Sequence, residues 1–232
     1  MAEDTAHSGS GRVSRRALLA GGGAAVAGLS LGGARAAAAG RAPRGQVGVA
    51  PENEDALELL IKIEQAGADF TTYGYVTRIA GLADSALFSG HGGRDETTAR
   101  FTFHSVTHMT GRSINEPIHA LQVSGPLSIY LQRTPGADFA HPASFKAGKL
   151  IASYDGEFQS IVNVTAPAKG IETLTGSLVQ KSAPRFTLAG SGHVLGAVGL
   201  RHRVTATGDG TLLEPTEPRA VLLLAGNIVV VA

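Results

Sequence analysis

Beyond residue 70 the chain consists of short apolar runs separated by turn-forming residues. The runs are rich in β-branched and aromatic residues, and Gly, Pro, Asp or Asn interrupts them about every ten to twenty residues, which is typical of strands joined by turns. The pattern predicts about eight strands, at residues 70–80, 98–109, 118–132, 148–154, 157–165, 171–180, 194–207 and 219–231. Because these strands do not alternate with helices, we expect a mostly β protein built as a single antiparallel eight-stranded barrel, with a β-sandwich as the alternative.

One segment ahead of these strands carries the signals of a helix. Acidic residues at positions 52, 54 and 55 precede the run 56–65, and Gly67 follows it. Negative charge in the first turn and a glycine beyond the last residue both stabilise helix ends. The sequence therefore predicts one N-terminal helix over residues 56–65, before the barrel strands begin.

The clearest predicted turn lies at Asp155-Gly156, between the runs 148–154 and 157–165. Asp-Gly accepts the positive φ angles that a two-residue hairpin turn requires, so we expect a hairpin there. Gly208-Asp209-Gly210 is a second candidate turn. Six prolines fall between predicted strands, where a missing N–H group costs no ladder hydrogen bond: Pro135, Pro142, Pro167, Pro184, Pro215 and Pro218.

The N-terminal segment has the order of an export signal. Arg15 and Arg16 precede the uncharged Ala, Gly and Leu stretch 17–34, and small residues surround Arg35 in the stretch 34–39. This order of a basic region, an apolar region and a cleavage zone is that of a signal peptide. The arginine pair resembles the twin-arginine (Tat) signal of bacteria, with Leu18 where that family usually has Phe.

The resemblance implies recognition by the Tat export machinery and a secreted protein, either extracellular or in the cell envelope. We expect a signal peptide at residues 1–39, a flexible leader at 40–50 and the barrel domain at 51–232. The alternative is an N-terminal membrane helix, because the 18 uncharged residues reach the lower limit of about 17 for a span. With the signal cleaved, no stable membrane span is expected in the mature form.

Composition removes several classes of chemistry. The absence of cysteine excludes disulfides, thiolate catalysis and zinc-thiolate sites. The absence of tryptophan and the presence of only four tyrosines argue against carbohydrate binding on aromatic platforms. The net charge of +1 predicts no basic surface for nucleic acid. Stability must therefore come from packing of the apolar residues.

The segment 190–199, Gly-Ser-Gly-His-Val-Leu-Gly-Ala-Val-Gly, resembles a hairpin of allene oxide cyclase-like and dirigent-like β-barrels. Those proteins carry Gly-Thr-Gly, an aromatic residue and Gly-Ala-Arg-Gly at this glycine spacing. Val194 and Val198 stand where that family often has an aromatic residue and Arg. The resemblance implies a barrel whose lumen could hold a reactive apolar molecule and steer its cyclisation or coupling. It transfers no catalytic residue to this chain.

Alternation along the strands suggests candidate ligand-binding residues. His119 shares a face with Leu121 and Val123, and His202 shares a face with Leu200 and Val204, so both imidazoles are predicted to point with apolar neighbours towards the interior. Each could instead be a core histidine satisfied by a backbone group. The remaining candidates are Phe101 and Phe103 as apolar lining, and Arg78 as a carboxylate-binding group on the face of Thr72, Gly74 and Val76.

Other histidines and motifs point to no chemistry. His104 and His108 are four residues apart, but in a strand that spacing is about 13 Å, too far to share one metal ion. They are expected on the face opposite Phe101 and Phe103, with Arg201 and Arg203 on the outer wall of their own strand. We find no nucleophile elbow, phosphate loop or dinucleotide motif, and we predict no metal and no cofactor.

Two functions follow from these observations, and whether the chain is an enzyme stays open. The first is an exported barrel that binds one apolar small molecule in its lumen and could steer its cyclisation or coupling, since an eight-stranded barrel is wide enough for one small ligand. The second is a non-catalytic exported binding or surface module whose barrel is filled by its own side chains.

Overall fold

A computed structural model describes residues 45–90 and 92–231. These residues form eleven β-strands and two short 3-10 helices, Asp84–Ala86 and Pro142–Lys146. The strands are β1 (Gln46–Val47), β2 (Asp55–Ala66), β3 (Asp69–Ile79), β4 (Phe101–Asn115), β5 (Ile118–Leu131), β6 (Lys149–Ala166), β7 (Lys169–Ser182), β8 (Phe186–Leu188), β9 (Ser191–Leu195), β10 (Arg201–Glu214) and β11 (Arg219–Val231).

Eight of the strands close into one barrel in the order β10-β11-β2-β3-β4-β5-β6-β7. Every neighbouring pair is antiparallel, and β7 pairs with β10 to complete the ring. The predicted antiparallel eight-stranded barrel is therefore confirmed. All six prolines named above lie outside the barrel strands, as expected.

The helix predicted over residues 56–65 is wrong, because this segment lies within strand β2. Its buried residues Leu57, Leu59, Ile61 and Ile63 alternate with less buried ones, which is the period of a strand facing a core on one side. Strand β2 is hydrogen-bonded to β3 along one edge and to β11 along the other. The acidic residues ahead of the run mark the start of a strand and not of a helix.

The hairpin predicted at Asp155-Gly156 is also wrong, because both residues lie in the middle of the 18-residue strand β6. Gly156 faces inward, where a Cβ would meet the ring of Phe158, and Asp155 faces outward and pairs with Lys181 at 3.0 Å. The glycine allows a close approach inside the barrel and makes no turn. The predicted strands 148–154 and 157–165 are therefore one strand.

The turn predicted at Gly208-Asp209-Gly210 is likewise absent, because these residues continue strand β10. A Cβ at Gly208 would collide with the carbonyl oxygen of Leu223 on β11, so glycine permits the two strands to approach here. The predicted strand 194–207 is divided instead into β9 and β10. Gly196 and Gly199, with φ angles of +62° and +88°, turn the chain between these two strands.

The two ends of the barrel are built differently. At one end tight turns at residues 67–68, 116–117, 167–168 and 215–218 join consecutive strands. At the other end the chain follows longer connections, one of which contains β8 and β9. These two strands form a hairpin across Ala189 and Gly190, and β9 also pairs with β1 to give a small three-stranded sheet.

This small sheet closes the end of the barrel that carries the long connections. Its residues Val47, Phe186 and Leu195 belong to the same buried core as the inward side chains of the barrel. The ring of Phe186 packs edge-on against Phe101 at 6.0 Å between ring centres. The barrel therefore has a closed end and an end that carries only short turns.

Candidate functional site

The barrel encloses a cavity of about 300 Å³. Its lining comes from all eight barrel strands, because alternate residues of each strand point inward. The lining reaches the tight-turn end, where Gln65, Arg112 and Lys169 contribute to it, and it includes no residue of the small sheet. The barrel is thus a cup whose mouth is formed by the short turns.

The cavity wall is mostly apolar. Phe70, Phe103 and Phe158 supply aromatic surface, and the rest is largely aliphatic: Leu59, Ile61, Ile63, Leu121, Val123, Leu127, Val162, Leu174, Leu178, Val204, Leu222 and Ile228. A wall of this composition with few polar groups is typical of sites for small hydrophobic ligands. The walls therefore favour an occupant with an extended apolar body.

One carboxyl group lies within this apolar wall. Glu172 of β7 lines the cavity, and only 2% of the residue is exposed to solvent. Burial raises the pKa of Glu172 from 4.5 to about 7, and hydrogen bonding from the Ser160 hydroxyl opposes the rise. The side chain is therefore poised to change protonation near neutral pH.

Charged groups of the lining are otherwise grouped at the mouth. His119 Nε2 lies 2.9 Å from the Glu116 carboxylate, and the Lys169 ammonium donates a hydrogen bond to the Thr211 hydroxyl at 2.8 Å. Arg112 stands on the same rim. The mouth thus carries both signs of charge, and no charged side chain of the described lining other than Glu172 lies below it.

Two of the sequence-predicted residues line the cavity. His119 lies at the mouth with about a quarter of its side chain exposed, and Phe103 lies deeper in the wall. Phe101 points inward as expected, but it is fully buried at the closed end against Phe186, beyond the cavity. Its role is to close the barrel and not to contact a ligand.

His202 also points inward without lining the cavity. Its ring packs edge-on against Tyr154 at 5.5 Å, and burial lowers its pKa to about 4. Its Nδ1 atom has no hydrogen-bond partner among the described residues. The structure therefore places this histidine in the core of the closed end, where it is neutral at physiological pH.

Arg78 lies on the outer wall, where its guanidinium is 3.4 Å from the Glu58 carboxylate and about half exposed. The register shifts between Glu58 and Leu59, which face Arg78 and Val76 across the strand pair. The extra residue, Thr77, forms a bulge that reverses the inward and outward faces. Alternation counted from Thr72 therefore fails at Arg78, which does not reach the lumen.

The remaining histidines and arginines singled out from the sequence lie on the outer wall, as expected. His108 pairs with Asp69 at 2.7 Å, and burial lowers the pKa of His104. Arg201 and Arg203 are exposed on the outer face of β10. These side chains do not contribute to the cavity.

Sequence reasoning missed Glu172, although its signal is in the chain. Gly170, Glu172, Leu174, Gly176 and Leu178 alternate along β7 and face inward. The glycines interrupt the apolar pattern, so the inward face of this strand was not recognised. A carboxylate between Gly170 and Leu174 in an alternating strand is the feature that could have identified it.

Within residues 45–90 and 92–231 no group of three or more His, Asp or Glu side chains is arranged to hold a metal ion. The same residues contain no helix that is long and apolar enough to cross a membrane. No protein-family model matches the chain, and comparison with curated proteins and with solved structures gives no significant match.

Proposed function

We propose that this protein is an exported β-barrel that binds a mostly apolar small molecule in its lumen. The observation that carries the proposal is the apolar cavity of about 300 Å³ that opens at the tight-turn end of the barrel. A cavity of this size and composition matches the lower range of small-molecule sites. The phenylalanines of its wall and His119 at its mouth favour an occupied lumen over a barrel filled by its own side chains.

Steering of cyclisation or coupling is the catalytic form of the same proposal. It is supported by the likeness of residues 190–199 to the glycine hairpin of allene oxide cyclase-like and dirigent-like barrels. Such chemistry requires mainly that the wall hold a reactive molecule in one conformation. The alternative function is a non-catalytic secreted binding or surface module whose barrel is filled by its own side chains.

Occupation of the lumen is tested by replacing two alanines of β11 with tryptophan, one in each variant. Ala220 lines the cavity near its mouth, whereas Ala225 is exposed on the outer face of the same strand. We expect Ala220→Trp to weaken binding of the neutral dye Nile red by about tenfold or more, because the indole fills the space that the dye needs. Ala225→Trp is the matched control and should change the affinity by less than about twofold.

The measurement is a fluorescence titration of the dye with each purified protein. Thermal unfolding of both variants shows whether the barrel is intact. Equal binding by the wild type and Ala220→Trp would place the dye outside the lumen, and no binding by the wild type would favour the filled module.

Export is supported by the order of residues 1–39, which lie outside the described residues. We expect the secreted protein to begin near residue 40, after removal of the segment that carries Arg15 and Arg16. N-terminal sequencing of protein recovered from the medium or the cell envelope measures this directly. Recovery of a chain that begins at Met1, still bound to the membrane, would support the membrane-helix alternative.

A further inference from the structure

The position of Glu172 in the cavity wall is unusual for a carboxyl group. Its neighbours across the strand pairs are Val162 on β6 and Gly208 on β10, and Leu174 follows it on the inward face of β7. Among the described residues, only the Ser160 hydroxyl provides a hydrogen-bonding side chain for the carboxyl group. Burial of a carboxylate without a cationic partner is costly. An ionised Glu172 therefore requires a positively charged partner, which its neighbours do not provide.

The groups that face Glu172 from the other strands are not ionisable. The polar lining within the cavity consists of the hydroxyls of Thr72, Ser105, Thr107 and Ser160, and that of Ser105 donates to the Pro126 carbonyl at 2.6 Å. The other ionisable groups that face the lumen lie at its two ends: Arg112, Glu116, His119 and Lys169 at the mouth, and Tyr154 and His202 at the closed end. None of the salt bridges between described residues includes Glu172.

We propose that Glu172 is the polar anchor of the lumen and that the ligand is a hydrophobic amine whose protonated nitrogen pairs with its carboxylate. The inference rests on the proposed function, since it assigns the ligand class of the same cavity. An ionised carboxylate only accepts hydrogen bonds, and an ammonium group supplies both the donors and the missing positive charge. The apolar wall above and below the carboxylate then takes the hydrocarbon part of the molecule.

A neutral hydroxyl or a carboxylic acid fits this position less well. A hydroxyl provides one donor and leaves the charge of Glu172 uncompensated. A carboxylate would place two negative groups in one apolar cavity, which strongly opposes their joint ionisation. The charge of Glu172 therefore selects for amines among molecules of equal length and apolar surface.

The test compares three ten-carbon probes, decylamine, 1-decanol and decanoic acid, as competitors of Nile red in the wild type and in Glu172→Gln. In the wild type at pH 8 we expect decylamine to bind about tenfold or more tightly than 1-decanol, as charge-assisted hydrogen bonding requires. Glu172→Gln removes the charge at nearly constant shape, so decylamine and 1-decanol should bind it within about threefold of each other.

The pH dependence gives an independent readout. We expect decylamine to bind the wild type about tenfold more weakly at pH 6 than at pH 8, because Glu172, with a pKa of about 7, is mostly protonated at the lower pH. Glu172→Gln retains His119 and the other mouth residues, so any pH dependence that persists in it arises at the mouth. Glu157→Gln, which removes an exposed carboxylate from the outer face of β6, is the matched control, and it should retain the preference for decylamine.

The outcomes separate the two proposals. If Nile red and 1-decanol bind and Ala220→Trp excludes them, but decylamine has no advantage or keeps it in Glu172→Gln, the amine inference is wrong and the lumen remains a site. If none of the probes binds the wild type, the proposed function itself fails.

Discussion

We expect Glu172→Gln to gain stability relative to the wild type as the pH rises. The difference in free energy of unfolding between the variant and the wild type should be about 3 kcal/mol larger at pH 8 than at pH 4. The pKa of the carboxyl group is about 7 in the folded protein and 4.5 as its ordinary value. The folded state therefore binds the proton more tightly than the unfolded state, and wild-type stability falls as the pH rises from about 4.5 to about 7. At about 1.4 kcal/mol for each pKa unit, this difference corresponds to about 3 kcal/mol.

Chemical denaturation of the ligand-free wild type and Glu172→Gln at pH 4, 6 and 8 measures this effect. Because all other titrating groups are shared, the difference between the two proteins isolates Glu172. The advantage of the variant should grow between pH 4 and pH 7 and then remain constant. A difference that does not change with pH would show that the carboxyl group is solvated in the folded protein, and it would remove the basis for an anchor in the lumen.

Phe101→Ala should lower the free energy of unfolding by about 3–5 kcal/mol, as is typical for truncation of a fully buried phenylalanine. Phe101 has no solvent exposure, and its ring contacts Phe186 of the small sheet that closes the barrel. Removing the ring leaves a cavity at the point where the two sheets meet. The loss is large compared with the total stability of a typical domain, about 5–15 kcal/mol.

The same denaturation experiment on Leu223→Ala provides the control, since Leu223 is 54% exposed on the outer wall. Its expected change is within about 0.5 kcal/mol. A loss below about 1 kcal/mol for Phe101→Ala would contradict the packing of the closed end described above.

The number of barrel strands was predicted correctly from two errors that compensate. The sequence predicts a helix over residues 56–65, which form strand β2, and it predicts a turn at Asp155-Gly156, which lies within strand β6. Local signals favoured both errors, because acidic residues precede the first segment and Asp-Gly is a strong turn former. Pairing with other strands decides both conformations, with β3 and β11 for strand β2 and with β5 and β7 for strand β6.

The site was predicted only where alternation continues without interruption. Alternation along the strands correctly predicts His119 and Phe103 on the inner wall. It fails at Arg78 because the bulge at Thr77 changes the face of the strand. The sequence does not predict Glu172 as a lining residue, because Gly170 and Gly176 interrupt the apolar alternation on the inward face of β7. His202 and Phe101 point inward without lining the cavity because they pack against Tyr154 and Phe186, and no local pattern indicates these contacts.

Native mass spectrometry of the purified protein, followed by denaturing extraction of whatever is bound, tests occupation of the lumen most directly. We expect an adduct of a hydrophobic small molecule on the wild type and on Ala225→Trp, and its loss on Ala220→Trp. An adduct that persists on Ala220→Trp would contradict a site in the lumen. A bare mass for all three proteins, together with no binding of Nile red, would show that the barrel is a filled module.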